Sequence, residues 1–191
     1  VKFGDNPKLS GLIYPIMQAV DEEYLNVDVQ YGGEDQRKIL VFAREYLPAL
    51  GYKRRVEVMT PMIPGLTGAK MSASVESSKI DLLDDEETVR TKVKGAYCKE
   101  GELENNGVLA FLKYVIMTVK QDNKETFVVK QDKKFGGDLV FKNYEEIEKA
   151  FLNKKLHPLD LKNALADEIN DLLKPIRKNI NELKKLASRA Y

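Results

Sequence analysis

Between residues 15 and 59 the sequence alternates twice between the spacing of a helix and the spacing of a strand. From Pro15 to Leu25 the apolar residues recur at helical intervals, and Pro15 suits the first turn of a helix. Residues 27–31 then alternate apolar and polar side chains, as a short strand does, and the glycine pair 32–33 ends that strand. We therefore expect a helix followed directly by a strand.

The same order repeats at once. Residues 34–50 are a second predicted helix, with Gly51 just beyond its end as a stop. One face of this helix is apolar and carries Ile39, Leu40, Phe42, Ala43, Tyr46 and Leu47. The segment "RRVEVM" (54–59) is interpreted as a second strand. Because helix and strand in alternation are typical of a parallel sheet, the sequence predicts an α/β fold here.

Beyond residue 80 the pattern becomes mainly helical. Asp84 or Asp85 can cap a helix that runs through Tyr97, and Asn105 or Asn106 can cap the next one. The segments "TFVVK" and "DLVFK" flank "QDKKFGG", which predicts a β-hairpin with a glycine turn.

Three more helices are expected at the end of the chain, around 144–153, 159–173 and 182–190. Pro175 is expected to interrupt the run between the last two. The change of pattern predicts a domain boundary near residue 82, between an α/β domain (1–82) and a mostly helical domain (83–191) with a small hairpin.

Composition argues against several kinds of site. Cys98 is the only cysteine and His157 the only histidine, which leaves no basis for disulfide frameworks, zinc clusters or Ser-His-Asp catalysis. No apolar run approaches the roughly 18 residues of a membrane helix, and residues 1–10 lack the apolar stretch of a signal peptide. We expect an intracellular protein without membrane or metal. The 31 Lys and Arg nearly balance 30 Asp and Glu, although the last third has several lysine-rich stretches.

Two polar groups in the α/β part are candidates for ligand binding. Tyr14, Gln18 and Asp21 share one face of the first helix, where they are either plain surface or a pocket for an ammonium group and a hydroxyl. The segment "GGEDQ" (32–36) places two glycines at a strand end and Asp35 and Gln36 at a helix start. Ligands of open parallel sheets lie beyond such strand ends, although a glycine pair alone is weak evidence.

A third candidate is the segment "GLTGAKMSAS" (65–74). Its small residues give a loop freedom to close over a ligand, and Lys70 supplies a charge for phosphate oxygens. Taken in isolation, the segment is equally compatible with an ordinary surface loop.

Together these segments resemble one family. The "KMSAS" segment (70–74) is similar to the KMSKS-type loop of class I aminoacyl-tRNA synthetases. "YPIMQAVD" (14–21) followed by "VQYGGEDQRK" (29–38) resembles the tyrosyl-tRNA synthetases of the archaeal and eukaryotic cytosolic kind. The resemblance extends over nearly the whole chain and includes "NNGVLAFLKYV" (105–115) and "HPLDLKNAL" (157–165).

The resemblance implies the second half of a Rossmann-like catalytic domain and an anticodon-binding domain. It implies a tyrosine pocket lined by Tyr14, Gln18, Asp21 and Gln36. It implies adenosine contacts from Gly33 and Asp35, and phosphate contacts from Lys70, Met71 and Ser72, of which Lys70 and Ser72 would be catalytic. The anticodon contacts would be Phe135, by stacking, and Asp160, by a hydrogen bond.

The implied reaction joins tyrosine to tRNA(Tyr) in the cytoplasm. The tyrosine carboxylate attacks the α-phosphate of ATP, which is used with Mg²⁺ as a substrate and not as a bound cofactor. No protein nucleophile is needed, since positioning and charge stabilisation carry such chemistry. The family also implies a homodimer.

Three departures from the family pattern qualify these expectations. The upstream catalytic half with its HIGH-type motif has no counterpart in the sequence, so we expect it from a longer protein or a companion chain, and expect this chain alone not to activate tyrosine. Ala73 replaces a residue that is often lysine or serine, and Phe135 replaces a tryptophan found in some relatives.

Two alternatives to a tyrosyl-tRNA synthetase stay open. A tryptophanyl-tRNA synthetase shares the loop and the turn, although Asp21 as an acceptor for a hydroxyl favours tyrosine. A fragment that binds RNA or regulates, without catalysis, is the second alternative.

Overall fold

The computed structural model of the protein describes residue 6, residues 8–68, residue 71 and residues 75–190. The chain divides into two compact units, a first unit of residues 1–62 and a second unit of residues 63–191.

The first unit repeats helix and strand in the predicted order. Its elements are α1 (Leu9–Tyr24), β1 (Val29–Gly33), a 3-10 turn (Glu34–Gln36), α2 (Arg37–Tyr46), a second 3-10 turn (Leu47–Leu50) and β2 (Val56–Thr60). Strands β1 and β2 pair in parallel, from Val29 opposite Val56 to Gly33 opposite Thr60. The parallel α/β character expected for this part is therefore confirmed.

Two boundaries in the first unit differ from the prediction. Helix α1 begins at Leu9, so that Pro15 lies inside it and not in its first turn. A proline inside a helix removes one backbone hydrogen bond, a loss that the remaining bonds of a 16-residue helix can offset. Strand β1 begins at Val29 and not at Val27, and it ends with the predicted glycine pair, which pairing with Met59 and Thr60 keeps extended.

The core of the first unit is small. It consists of Ala19 from α1 and three side chains after β1, namely Ile39, Ala43 and Leu47. One face of the β1–β2 pair is left uncovered, and its apolar side chains are exposed at Val29, Tyr31, Val56 and Val58. The predicted apolar face of α2 is therefore buried only in part, since Tyr46 is 57% exposed, whereas the sheet retains an open apolar face.

A charged cluster lies beside this core. The Arg55 guanidinium is buried and donates to the Glu23 carboxylate at 2.6 Å and to the carbonyl oxygen of Val27 at 3.2 Å. Glu22 is also buried, and burial raises the pKa of its carboxyl, although the Arg55 charge opposes that rise and the Glu57 charge adds to it. A proton on Glu22 is therefore favoured by folding of this unit.

The second unit is mainly helical and contains one hairpin. Its elements are α3 (Glu86–Gly95), α4 (Gly107–Phe111), a π-helical segment (Leu112–Ile116), α5 (Met117–Asp122), β3 (Phe127–Val129), β4 (Leu139–Phe141), α6 (Tyr144–Leu152), α7 (Pro158–Arg177) and α8 (Ile180–Ala190). Strands β3 and β4 are antiparallel, with Phe127 opposite Phe141. The predicted helical architecture with a hairpin is confirmed.

The predicted helix starts are confirmed by their caps. Asp85 accepts a hydrogen bond from the Thr88 amide at 2.8 Å, and this bond holds the pKa of the Asp85 carboxyl below its usual range. Asn106 accepts from the Leu109 amide at 3.1 Å. Each cap satisfies an amide that the helix itself leaves without a partner.

The end of α7 corrects the interruption predicted at Pro175. Helix α7 runs to Arg177 and contains Pro175 in its last turn, and α8 begins at Ile180. The Arg177 guanidinium donates to the carbonyl of Asp84 at 3.0 Å and to Asn170 Oδ1 at 2.8 Å, which ties the last turn of α7 to the segment before α3 and to an earlier turn of α7.

The core of the second unit is extensive, and residues before the predicted domain boundary take part in it. Leu66 is 3% exposed in this core, its amide donates to the carbonyl of Ser78, and its carbonyl accepts from the Tyr97 amide at 2.6 Å. By contacts, the chain therefore divides before Ile63 and not near residue 82. Assignment of residues 63–82 to a catalytic domain is a statement about function and stays a prediction. No helix in the described ranges is both long and apolar enough to cross a membrane.

Candidate functional site

Two of the four predicted tyrosine-pocket residues are in direct contact. Gln18 on α1 donates through Nε2 to Oε1 of Gln36, at the end of the turn that follows β1, at a distance of 3.0 Å. The Gln18 Oε1 atom is buried and, within the described part of the chain, accepts no hydrogen bond. A buried acceptor without a donor costs about 1–3 kcal/mol, so this atom is suited to receive a donor from a ligand.

Tyr14 and Asp21 share the α1 face with Gln18 but stand apart from the amide pair. Both side chains are exposed, and in the described part of the chain no hydrogen bond joins either of them to Gln18 or Gln36. Their spacing of one turn before and about one turn after Gln18 keeps all three on one face. The structure thus brings Gln18 and Gln36 together, whereas Tyr14 and Asp21 share the helix face with Gln18 and are exposed to solvent.

Gly33, at the end of β1, lies against the side chain of Asp35. A Cβ atom at this position would lie 2.6 Å from Oδ1 of Asp35, too close for any residue with a side chain unless Asp35 moves. The Asp35 carboxylate therefore occupies the space where another residue would carry its side chain. Both predicted adenosine contacts lie together at the carboxyl end of a parallel strand, where ligands of open sheets bind.

The predicted phosphate loop is described only in part. Lys70 and Ser72 lie outside the described residues, whereas Met71 is described and is exposed. Of the flanking residues, the Leu66 amide donates to the Ser78 carbonyl at 3.0 Å, and the Ser78 hydroxyl donates to the Val75 carbonyl at 2.7 Å. The two sides of the segment are therefore tied to each other and to the core of the second unit.

A separate site lies at the hairpin. The loop between β3 and β4 contains a 3-10 turn, Lys133–Phe135, which Asp132 caps by accepting from the Lys134 amide at 3.1 Å. The turn ends at Gly136, whose φ of +109° strongly favours glycine. Phe135 is 70% exposed at the tip, so its ring is presented to solvent and not to the core.

Asp160 lies in the first turn of α7, near this loop. Its Oδ2 atom accepts from Nε2 of Gln131 at 3.1 Å. His157 caps the same helix, since its Nδ1 accepts from the Leu159 amide at 3.2 Å. A cavity of about 680 Å³ has a lining that includes Gln131, Phe135, Lys154, Lys155, His157 and Asp160. The predicted pair Phe135 and Asp160 therefore lines one cavity.

This cavity combines three kinds of chemistry. An exposed aromatic ring offers a stacking surface, two carboxylates offer acceptors, and two lysines offer positive charge, although Lys154 lies 3.9 Å from the Glu100 carboxylate in the same lining. These are the groups by which proteins hold an unpaired base and its phosphates. The cavity is therefore suited to a nucleotide of a single-stranded nucleic acid.

Among the described residues, neither a reactive thiol nor a cluster of metal-binding side chains is found. Burial raises the pKa of the Cys98 thiol, which disfavours the reactive thiolate. No group of three or more His, Cys, Asp or Glu in the described ranges is placed to hold a metal ion.

Comparison with known proteins gives the family. The sequence matches the family described as "tRNA synthetases class I (W and Y)" over residues 1–174. The chain belongs to this family. The predicted resemblance to tyrosyl-tRNA synthetases of the eukaryotic and archaeal kind is also confirmed.

Individual synthetases show how much of such a protein the chain represents. It is 54% identical to a cytoplasmic tyrosine–tRNA ligase of Danio rerio and 53% identical to that of Gallus gallus, and covers 36% of each while all of the chain is matched. The tyrosyl-tRNA synthetase of Archaeoglobus fulgidus, solved with L-tyrosine, is 44% identical to this chain and superposes on it with a TM-score of 0.82. The match covers 92% of this chain and 54% of the Archaeoglobus fulgidus chain. The chain therefore spans between about a third and about half of these synthetases.

Three lining residues of the hairpin cavity are not among the predicted anticodon contacts, namely Gln131, Lys154 and Lys155. Gln131 lies four residues before Phe135, and the lysine pair lies in "LNKKL" shortly before Asp160. Nearness in sequence to the predicted contacts was the available signal, but lysine-rich segments are usually ordinary surface.

Proposed function

We propose that this chain is the part of a cytoplasmic tyrosine–tRNA ligase that holds the amino acid, contacts ATP and reads the anticodon. The observation that carries the proposal is the hydrogen bond between Gln18 and Gln36, with the buried Gln18 Oε1 left to accept from a ligand. The α-ammonium group of tyrosine is a donor of the right chemistry for that atom.

The proposed tyrosine pocket uses four polar residues of the first unit. Gln18 and Tyr14 bind the ammonium group, Gln36 holds the Gln18 amide in place, and Asp21 accepts from the phenolic hydroxyl. A pocket that accepts a hydrogen bond from a hydroxyl disfavours substrates without one, because the acceptor would remain unpaired. The relatives' names, which specify tyrosine, support this amino acid over tryptophan.

ATP, with Mg²⁺, is the proposed second substrate. Gly33 and Asp35 contact the adenosine, and the loop residues Lys70, Met71 and Ser72 contact the phosphates. The tyrosine carboxylate attacks the α-phosphate and pyrophosphate leaves, which gives tyrosyl-adenylate. A ribose hydroxyl of the terminal adenosine of tRNA(Tyr) then attacks the tyrosyl carbonyl, and AMP leaves. Lys70 contributes charge that offsets the negative charge on the phosphates. No protein nucleophile is required, because the tyrosine carboxylate itself attacks.

The anticodon is the proposed ligand of the hairpin cavity. The first anticodon base stacks on Phe135 and donates to Asp160, while Lys154 and Lys155 provide charge for the adjacent phosphates. Stacking of one base on an aromatic side chain contributes about 1–3 kcal/mol. The exposed ring and the neighbouring carboxylate in one cavity support this assignment.

An upstream catalytic half is the proposed partner of the open sheet face. Parallel sheets are normally covered on both faces, but Val29, Tyr31, Val56 and Val58 are exposed here. We infer that β1 and β2 belong to a larger Rossmann-like sheet, and that the complete enzyme acts as a homodimer in the cytoplasm.

Tyrosine-dependent exchange of pyrophosphate into ATP tests the proposal. In the full-length enzyme we expect exchange with tyrosine and none with tryptophan. The Gln18→Met variant should raise KM for tyrosine by about 10-fold or more while leaving affinity for tRNA unchanged. Exchange with tryptophan would assign the chain to the sister enzyme, and no exchange in folded protein would favour a tRNA-binding role without catalysis.

Two further variants separate the proposed sites. Lys70→Ala should slow activation far more than it weakens tyrosine binding, and equal losses would contradict a phosphate role. Phe135→Ala should raise KM for tRNA and leave pyrophosphate exchange intact. A loss of exchange in Phe135→Ala would instead identify Phe135 as a folding residue.

A further inference from the structure

One side chain joins the hairpin loop to the first turn of α7. Gln131 donates through Nε2 to Oδ2 of Asp160 at 3.1 Å, across a sequence separation of 29 residues. Its backbone amide donates to Oδ1 of Asp138 at 3.1 Å, just before β4. Gln131 is therefore held at its backbone by the hairpin and bonded at its side chain to the Asp160 carboxylate.

This bond commits one oxygen of a two-oxygen acceptor. With Oδ2 bonded to Gln131, rotation of the Asp160 carboxylate is restricted. In the described part of the chain no donor reaches the other oxygen, Oδ1. A fixed carboxylate with one free oxygen discriminates between donors more sharply than one that rotates, since no conformational freedom is lost when the ligand binds.

The same residue also adjoins the turn that presents the aromatic ring. Asp132, which caps the turn Lys133–Phe135, directly follows Gln131. A displacement of the loop would therefore move Phe135 and release Asp160 together. The stacking surface and the acceptor are thus tied into one arrangement by a single amide.

We propose that Gln131 is a positioning residue for anticodon recognition: it orients the Asp160 carboxylate toward the base that stacks on Phe135. The proposal rests on the anticodon role proposed above for Asp160 and Phe135. Gln131 acts through Asp160 and needs no contact with the base itself.

The Gln131→Met variant of the full-length enzyme tests this role, because methionine has a similar length and no donor. We expect the ratio of kcat/KM for tRNA(Tyr) to that for tRNA(Tyr) with a substituted first anticodon base to fall about 10-fold, or about 1.4 kcal/mol. The loss should lie in KM, and pyrophosphate exchange should not change. Gln121→Met is the matched control, since Gln121 is exposed on α5.

A double-mutant cycle with Asp160→Asn separates positioning from stability. If Gln131 acts through Asp160, Gln131→Met should cause no further loss of discrimination in the Asp160→Asn background. Gln131→Leu, which also lacks the donor and adds no second carboxylate beside Asp160, should reproduce the loss at an unchanged melting temperature. Equal weakening of both tRNAs by Gln131→Met, or further loss in the Asp160→Asn background, would overturn the positioning role.

The outcome for Asp160→Asn keeps the two proposals apart. Reduced discrimination in Asp160→Asn with normal discrimination in Gln131→Met overturns the role of Gln131 and leaves the anticodon site standing. Normal discrimination in both variants overturns the anticodon site, and the role of Gln131 with it.

Discussion

The two units of the chain bury their apolar side chains to very different extents. The second unit encloses a core to which α3 to α7 and both hairpin strands contribute, and it buries Phe127 and Phe151 completely. The first unit encloses a small cluster between α1 and α2, and leaves Tyr31 and Val56 exposed on its sheet. The difference indicates that the second unit has a core of its own, whereas the first requires further chain to cover its sheet.

Expressing the two units separately should test this difference most directly. Residues 63–191 expressed alone should retain helical circular dichroism and unfold in one cooperative transition, because their core is complete. Residues 1–62 alone should show no cooperative transition, since a sheet with one apolar face uncovered buries too little surface to offset chain entropy. Cooperative unfolding of the isolated 1–62 segment would contradict our reading of the open face.

Within the second unit, adjacent residues of α6 should differ strongly in their effect on stability. Phe151 is fully buried, so Phe151→Ala should lower the free energy of unfolding by about 3–5 kcal/mol. Leu152, the next residue, is 45% exposed, and Leu152→Ala should cost roughly 1 kcal/mol. Urea titration of both variants measures the difference, and similar losses would show that the core is less tightly packed than the structure indicates.

The cap of α4 should have a smaller effect. Asn106 accepts from the Leu109 amide and donates through Nδ2 to the Glu102 carbonyl, each at 3.1 Å. Asn106→Ala removes both bonds and should cost about 1–2 kcal/mol. Asn106→Ser retains an oxygen that can accept from Leu109 and should recover part of that loss in the same denaturation experiment. Equal stability of the Ala and Ser variants would argue against the cap.

The smallest expected effect concerns the pH dependence of the first unit. Since burial raises the pKa of Glu22 in the folded state, its protonated form adds stability at low pH, and that stability is lost as pH rises through the folded pKa. Glu22→Gln removes this titration. The free energy of unfolding, monitored on the first unit, should therefore fall less steeply with rising pH above about 4.5 than in the parent protein. The exposed Glu45, changed to Gln, is the control, and an identical pH profile for Glu22→Gln and the parent protein would contradict the burial effect.

The local elements could be predicted from the sequence alone, because their signals depend on neighbouring residues. The caps at Asp85 and Asn106, the alternation of helix and strand before residue 60, and the hairpin around "QDKKFGG" all follow from spacing and turn chemistry. The motifs around Gln18 and Lys70 likewise indicated the family before any contact was known.

Contacts between distant residues depend on tertiary packing and could not be predicted from the sequence. The bonds from Gln18 to Gln36 and from Gln131 to Asp160 join different elements, and Leu66 packs in the core of the second unit although it precedes the change of pattern near residue 82. Pro15 and Pro175 lie inside helices for a related reason. A helix held by neighbouring contacts can contain a proline that local preference would place at its end. Propensity acts along the chain, whereas sites and unit boundaries depend on packing across it.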